Sequence, residues 1–257
     1  MLLTYIVSGF AVGLLVGMTG VGGGSLMTPL LTLLFGVPPS VAVGTDLAFA
    51  AITKTAGTFT HRLRGTIRWD IVRHLCVGAL PAAVLTTLAL KQYGALDQHL
   101  GQLIRYSIAG SVLLTVIALL FKTRMLAWIT AKPSRQLQGR PLMIATIVSG
   151  AVLGTLVTVS SIGAGAIGAT LLVMLYPRMS SAEVAGTDIA YAVPLTAIAA
   201  FGHWWLGSID WALLSSLLIG SVPGITIGSW AARAVPERFL RGLLAATLTG
   251  VAAKLIF

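Results

Sequence analysis

Charged side chains inside apolar stretches are the residues of this sequence most able to do chemistry. Lys54 lies in the middle of such a stretch, between Ala50 and Gly57, too far from either end for its ammonium to reach water easily. On membrane-insertion scales a central lysine costs about 2.5 to 3.5 kcal/mol, so a partner or a ligand has to offset that cost. The sequence leaves three roles open: binding of an anionic substrate, a structural ion pair with Asp46 or Asp188, or an ordinary lysine that snorkels to the membrane surface.

Asp46 and Asp188 end the same element, Gly-Thr-Asp, which occurs once in each half of the chain. Two carboxylates in a low dielectric tend to share one positive charge. If a twofold axis brings the two elements together, Asp46 and Asp188 would therefore hold a coupling ion, a proton or sodium, between them. The alternatives are direct substrate contact and helix capping, since Thr and Asp side chains accept hydrogen bonds from free amides at a helix start.

Two glycine clusters predict an anion site. One covers residues 20 to 24, and the other contains Gly163 and Gly165. Each precedes a short apolar segment, and a helix that begins there presents unpaired amides and the positive end of its dipole. Close helix packing is the alternative role for any single glycine. The predicted substrate-binding residues are Lys54, Gly22, Gly23, Gly24, Ser25, Gly163, Gly165, Thr45 and Thr187.

An internal repeat positions these residues. Residues 44 to 81 return in register as 186 to 223, and both Gly-Thr-Asp elements are among the matched positions. The other matched pairs are Phe59 and Phe201, His61 and His203, Gly65 and Gly207, Ile67 and Ile209, Trp69 and Trp211, Gly78 and Gly220, and Pro81 and Pro223. Lys54 is matched by Thr196, so the fold does not require the cation, which favours a one-sided functional role. Two copies of one unit in an apolar chain are typical of secondary transporters.

The composition indicates a multi-pass membrane protein. Hydrophobic residues make up 56% of the 257 residues and charged residues 9%, against about 25% charged residues in soluble domains. Runs such as 142 to 162 and 211 to 232 are long enough to cross a hydrocarbon layer of roughly 30 Å, which takes about 20 residues. The 17 basic residues form no block beside aromatic residues, which argues against nucleic acid as a partner and for retention of basic loops in the cytoplasm.

Ten apolar segments can be marked, five in each half of the chain. The first transmembrane repeat comprises residues 1 to 121, a basic cytoplasmic linker residues 122 to 141, and the second repeat residues 142 to 257. The segments 25 to 36 and 165 to 176 are too short to cross a membrane as helices, because about 12 residues extend only about 18 Å. We predict an all-α membrane protein in which each glycine cluster forms a broken-helix hairpin.

The basic residues give the two repeats opposite orientations. Arg62, Arg64, Arg68 and Arg73 follow the third segment, whereas the equivalent stretch, 203 to 215, has no Lys or Arg. The bias reverses in the next loop, and the linker carries five basic residues. Because positively charged loops stay in the cytoplasm, an inverted relation between two five-segment repeats satisfies the whole pattern, with both termini outside the cytoplasm.

Several of these elements recur in order over almost the whole chain: the glycine-rich residues 17 to 25, the Gly-Thr-Asp element, residues 61 to 69, and their second-half counterparts. Together they resemble the TauE/SafE family of membrane transporters, although Asp46 and Asp188 stand where many members have Ser or Asn. The resemblance implies an integral permease for small sulfur-containing anions, such as sulfite, sulfonates or sulfoacetate, in a bacterial inner (plasma) membrane. It also implies that the glycine and Gly-Thr-Asp elements belong to the site.

Enzyme motifs are missing from the sequence. It contains no HExxH, no GxSxG, no phosphate-binding loop, and too few carboxylates for a two-acid hydrolase. We predict no cofactor and no metal site, since the histidines lack metal-ligand spacing and Cys76 is the only cysteine. A secondary transporter without enzyme activity is the favoured interpretation. The alternatives are a proton- or cation-conducting channel centred on Asp46 and Asp188, or a non-transporting membrane subunit of a sulfur-metabolising system. The sequence leaves open whether the chain forms a homo-oligomer.

Overall fold

The computed structural model describes residues 2–19, 24–94, 100–131 and 136–231, with the single residues 246 and 250 near the end of the chain. The helices in these ranges are α1 (Leu2–Thr19), α2 (Gly24–Leu34), α3 (Pro39–Leu63), α4 (Trp69–Gly94), α5 (Leu100–Thr130), α6 (Arg140–Ser160), α7 (Ala166–Leu175), α8 (Ser181–Trp205) and α9 (Trp211–Ala231). The described residues include no strand, so the predicted all-α class is confirmed. The last predicted segment, 238 to 257, lies outside the described residues apart from 246 and 250.

Helices α2 and α7 are short, as the sequence predicts. They contain 11 and 10 residues, which extend about 15 to 17 Å and do not reach across a hydrocarbon layer of about 30 Å. The predicted break between α6 and α7 covers residues 161–165. Ser161, Gly163 and Gly165 have φ angles of 58°, 138° and 136° there, and glycine adopts such angles without the steric cost that other residues meet.

The first helix of each repeat packs on the fourth helix of the other repeat, α1 on α9 and α6 on α4. Glycines bring these backbones together, because a Cβ on any of them would collide with the facing backbone, and small residues allow such close approach in membranes. In α1, Gly9 faces Leu217 and Gly13 faces Ser221 of α9; in α6, Gly150 faces Leu75 and Gly154 faces Ala79 of α4. One contact is thus made twice at equivalent positions, and it interlocks the two repeats.

Helices α3 and α8, the third helix of each repeat, pack against each other and run antiparallel. Gly44, near the start of α3, lies against the backbone of Ser208, which follows the end of α8. Gly186, near the start of α8, lies against the backbone of Thr66, which follows the end of α3. Antiparallel packing of equivalent helices is what an inverted repeat requires. The orientation of the repeats in a membrane stays a prediction.

Each Gly-Thr-Asp element ties its helix to the opposite repeat. The Thr45 hydroxyl oxygen accepts a hydrogen bond of 3.1 Å from the Asp210 amide. The Thr187 hydroxyl oxygen accepts one of 3.1 Å from the Arg68 amide. Asp210 directly precedes α9 and Arg68 directly precedes α4, so each threonine satisfies a backbone donor next to a helix start, as a capping side chain does.

Five of the described helices are long and apolar enough to cross a membrane, namely α4, α5, α6, α8 and α9. Large apolar side chains on them point outward; Leu85, Val148 and Ile219 are 66%, 55% and 62% exposed. Such a surface fits lipid and confirms the predicted membrane protein. Helix α5 continues to Thr130, so the first half of the predicted linker, residues 122 to 141, is helical.

Candidate functional site

Three charged side chains are buried where α3 and α8 face the α6–α7 break. Asp46 is 0% exposed, Lys54 is 7% exposed and Asp188 is 4% exposed. A buried charge is costly unless it is paired, hydrogen-bonded or neutralised by a proton, so each of the three needs a physical explanation. We call these three side chains and the polar groups next to them the polar track. Its members are Thr28, Asp46, Lys54, Ser161, the Ala164 carbonyl, Asp188 and Tyr191.

Lys54 reaches from α3 to the break. Its Nζ donates a hydrogen bond of 3.1 Å to the Ala164 carbonyl oxygen. In the described part of the chain no carboxylate lies within 4.0 Å of this ammonium, although Asp188 and, more weakly, Asp46 interact with it electrostatically. The structure therefore shows neither the direct ion pair nor the snorkelling lysine that the sequence left open. It shows a buried cation held by a neutral carbonyl.

Asp46 is held by one short hydrogen bond. Thr28 in α2 donates its hydroxyl proton to Asp46 Oδ2 at 2.5 Å. The Ser161 hydroxyl in the break also lies close to the carboxyl group. However, neither Asp46 Oδ1 nor Ser161 Oγ has a hydrogen-bond partner among the described residues. Buried polar atoms without partners are rare in folded proteins and often mark a site that holds a water, an ion or a proton.

Asp188 lies beside α7 and Tyr191. A Cβ on Gly168 would collide with Asp188 Oδ1 and come within 2.7 Å of the Tyr191 hydroxyl oxygen, so the glycine makes room for both side chains. Tyr191 is 0% exposed, and its hydroxyl has no hydrogen-bond partner in the described residues. Gly168 and Tyr191 were not among the residues predicted from the sequence; the available signal was a tyrosine at the repeat position that Phe49 occupies in the first copy.

The register of α3 and α8 can be taken from two close contacts. A Cβ on Gly44 would lie 3.0 Å from the Cβ of His203. A Cβ on Gly57 would lie 3.5 Å from the side chain of Ile189. Because the two helices are antiparallel, these contacts bring Ile52 level with its repeat equivalent, Pro194, and we take this level as the crossing point of the two helices.

This register separates the two aspartates. Ile52 and its repeat equivalent, Pro194, mark the crossing point, and Asp46 and Asp188 each precede it by six residues. In an antiparallel pair the two carboxylates then lie on opposite sides of the crossing point, about 18 Å apart along the helices. This separation of the backbones gives no support to one ion shared between the two carboxylates, and the shared ion site stays a prediction. Lys54 lies between the two carboxylates and interacts with both.

Two further predicted residues, Gly163 and Gly165, flank the carbonyl that Lys54 contacts. Helix α7 begins directly after Gly165, so the positive end of its dipole adjoins the polar track. The structure thus brings these glycines together with Lys54, Asp46 and Asp188. Binding of an anion there stays a prediction.

The remaining predicted residues are placed differently. Thr45 and Thr187 hold the loops of the opposite repeat, which gives them a structural role beside the predicted one. Gly24 and Ser25 form the start of α2, but their surroundings are outside the described residues. Gly22 and Gly23 lie outside them altogether.

The sequence has matches among known proteins. The family described as "Sulfite exporter TauE/SafE" matches residues 5–255. "Probable membrane transporter protein YjnA" of Bacillus subtilis (strain 168) is 37% identical over the whole of both chains. "Probable membrane transporter protein YdhB" of the same organism is 29% identical over 91% of this chain and 92% of its own. Comparison with solved structures gives no significant match.

Proposed function

The chain belongs to the TauE/SafE family of membrane transporters, and we propose that it is a secondary transporter for small anions in the inner cell membrane. The family's description names sulfite, which supports a sulfur-containing cargo such as sulfite, a sulfonate or sulfoacetate. The names of the relatives specify a membrane transporter without a substrate. In this proposal the chain has no enzyme activity, and its partners are the lipid bilayer and the transported anion.

Lys54 carries the proposal. Its ammonium is buried in the centre of the polar track, and its one hydrogen bond among the described residues goes to the Ala164 carbonyl. A neutral carbonyl compensates a buried cation less well than an anion does, because hydrogen bonds between charged groups are about twice as strong as neutral ones. An anion that enters the track would displace the carbonyl and bind Lys54 together with amides of Gly163 and Gly165.

The other predicted residues complete the proposed site. The amides of Gly22, Gly23 and Gly24 and the Ser25 hydroxyl would contribute from the first repeat, with Thr45 and Thr187 at the helix pair. Asp46 and Asp188 would bind the coupling ion. Two inverted repeats, 1–121 and 142–257, joined by the linker 122–141, would move against each other to give alternating access. The antiparallel packing of α3 and α8 supports this arrangement.

A cation channel centred on the aspartates fits the site less well. Asp46 and Asp188 lie about 18 Å apart by the helical rise, and the Lys54 ammonium lies between them. A cation that passed from one carboxylate to the other would have to pass this charge. The polar track is thus better suited to an anion with a coupled proton than to a cation current.

Uptake of labelled sulfite or a labelled sulfonate into sealed vesicles tests the proposal. Lys54→Gln should lower uptake about 10- to 100-fold, since hydrogen bonds to a charged group contribute about 1.5 to 3 kcal/mol. Lys91→Gln is the matched control, because Lys91 is an exposed lysine that lies over the Trp205 ring. Its uptake should equal that of the wild type.

Three outcomes contradict the proposal. Normal uptake by a correctly inserted Lys54→Gln variant removes Lys54 from the site. A current without any anionic substrate favours the channel. No uptake by the wild type under any gradient favours the non-transporting subunit.

A further inference from the structure

We propose that Asp46 alone carries the coupling proton, within a site formed with Thr28 and Ser161, while Asp188 stays ionised as the counter-charge of Lys54. The inference rests on the proposed transport function and deepens it, because it assigns different roles to two carboxylates that the repeat makes equivalent. It also names the coupling ion as a proton.

The surroundings of Asp46 fit a neutral carboxylic acid. Its Oδ2 accepts a hydrogen bond from Thr28 at 2.5 Å, and its Oδ1 has no partner in the described residues although it is fully buried. An ionised carboxylate in such a place would leave most of its acceptor capacity unused and would pay the full cost of burial. A proton on Oδ1 removes the charge and provides a donor.

Ser161 supplies an acceptor for that donor. Its hydroxyl lies close to the Asp46 carboxyl group and is buried without a partner among the described residues. Ser161 is also the one non-glycine residue in the described ranges with a positive φ, 58°. A left-handed conformation is costly for a residue with a Cβ, whereas glycines occupy the other strained positions of the break. A hydroxyl that accepts a hydrogen bond from the protonated Asp46 Oδ1 gives a reason for serine at this position.

Lys54 indicates which carboxylate is ionised. It is on the same helix as Asp46 but eight residues further along, which separates the two backbones by about 12 Å. Its ammonium donates to a neutral carbonyl and interacts more strongly with Asp188 than with Asp46. The cation is thus balanced mainly by Asp188 across the helix pair, and it stabilises the charged form of Asp46 more weakly.

In the described ranges, the titratable side chains on the helices next to Asp46 include Lys54 on α3, Asp188, Tyr191 and His203 on α8, and Asp210 before α9. The His203 Nε2–H donates to the Thr158 carbonyl at 2.9 Å, and Asp210 Oδ1 accepts bonds from the Ala212 and Leu213 amides. Asp210 and the Nε2 side of His203 are thus engaged by the fold, whereas His203 Nδ1 is buried without a partner among the described residues. Anion binding at Lys54 and protonation of Asp46 can therefore influence each other, because each changes the net charge of the polar track.

Infrared spectroscopy of the purified protein without substrate tests the protonation of Asp46. The wild type should show the C=O stretch of a buried carboxylic acid at mildly acidic pH. Asp46→Asn should lose this band and Asp188→Asn should retain it. Thr28→Val and Ser161→Ala, which are milder changes, should shift its frequency. Absence of the band in the wild type, its loss in Asp188→Asn alone, or an unchanged frequency in both milder variants would overturn the proposal.

Vesicle transport tests the coupling. Asp46→Asn should lose the stimulation of uptake by a pH gradient but should still exchange labelled for unlabelled anion at equal pH. Asp188→Asn should lose both activities, because Lys54 is left without its counter-charge. A pH-gradient response that survives in Asp46→Asn overturns the assignment. If the wild type transports no anion, the proposed function fails, and the infrared band alone then decides whether Asp46 is protonated.

Discussion

Asp46 and Asp188 occupy equivalent positions in the two repeats, yet their surroundings differ. Asp46 accepts a hydrogen bond from Thr28 of the preceding short helix. Asp188 lies against Gly168 of the equivalent short helix and beside Tyr191. By contrast, the threonines that precede the two aspartates make the same bond at the same distance, to the amides of Asp210 and Arg68.

This contrast distinguishes the residues that hold the two repeats together from the residues that form the polar track. Contacts that lock the two repeats together are duplicated, because both copies need the same close approach of backbones. Apart from the two aspartates, the repeats differ at the polar track: Lys54 corresponds to Thr196, and Phe49 corresponds to Tyr191. A symmetric frame with an asymmetric interior is what a transporter needs if one repeat-related position holds a proton and the other a fixed charge.

Adding a second lysine at Thr196, the repeat equivalent of Lys54, is the strongest test of this asymmetry. Thr196 is 1% exposed, and its hydroxyl donates to the Ala192 carbonyl at 2.8 Å. Thr196→Lys should destabilise the protein by about 2.5 to 3.5 kcal/mol, because a second buried ammonium lacks a prepared acceptor. Thermal unfolding followed by size-exclusion chromatography measures the loss. Thr196→Val, of similar size to threonine, is the control and should stay folded. A Thr196→Lys protein as stable as the wild type would show that the second repeat also accommodates the cation.

Substitution of the glycines that make the duplicated helix contacts should destabilise the protein by similar amounts in the two repeats. Gly9 faces the Leu217 backbone and Gly150 faces the Leu75 backbone at equivalent positions. Leucine at either glycine should cost about 1 to 3 kcal/mol, since overpacking forces the backbones apart. Unfolding of the two variants, measured side by side, should give matching losses.

The matched control is Gly110→Leu in α5, because a Cβ there has nothing within 4 Å. A loss at Gly150 without one at Gly9 would mean that the two interlocking contacts differ in strength. The comparison of a symmetric frame with an asymmetric site would then no longer hold.

The sequence predicts the short helices and the repeat, but it does not predict how α3 and α8 are aligned with each other. The short helices α2 and α7 follow from glycine clusters and segment length, and the repeat follows from matched residues at a constant offset. The register of the two helices could not be predicted, because equivalence in a repeat does not imply proximity. Asp46 and Asp188 both precede the crossing point, and antiparallel packing moves them apart. The partners of Asp46 depend on how α2 and the break are rotated toward α3, which only the packed structure provides.

Substitution of Gly168 tests whether the position of Asp188 matters for transport. Its missing Cβ makes room for Asp188 Oδ1 and the Tyr191 hydroxyl. Gly168→Ala should reduce anion uptake about tenfold, because small displacements of a positioned group cost rate and Asp188 must turn away from its place. Vesicle uptake measures this effect. Gly101→Ala, with nothing within 4 Å of its added Cβ, should transport like the wild type. Full activity in Gly168→Ala would show that the position of Asp188 does not matter for transport.

The smallest effects are expected at the two threonines, where the repeats agree most closely. Thr45→Val and Thr187→Val each leave one backbone amide, of Asp210 or of Arg68, without its acceptor. Each should cost about 1 kcal/mol, the usual contribution of a hydrogen bond, and Thr→Ser at either position should restore stability because the hydroxyl returns. Equal losses in thermal unfolding support a frame that both repeats share. A clearly larger loss of transport than of stability in one valine variant would instead assign that threonine to the site, and the division between duplicated frame and single-copy interior would have to be redrawn there.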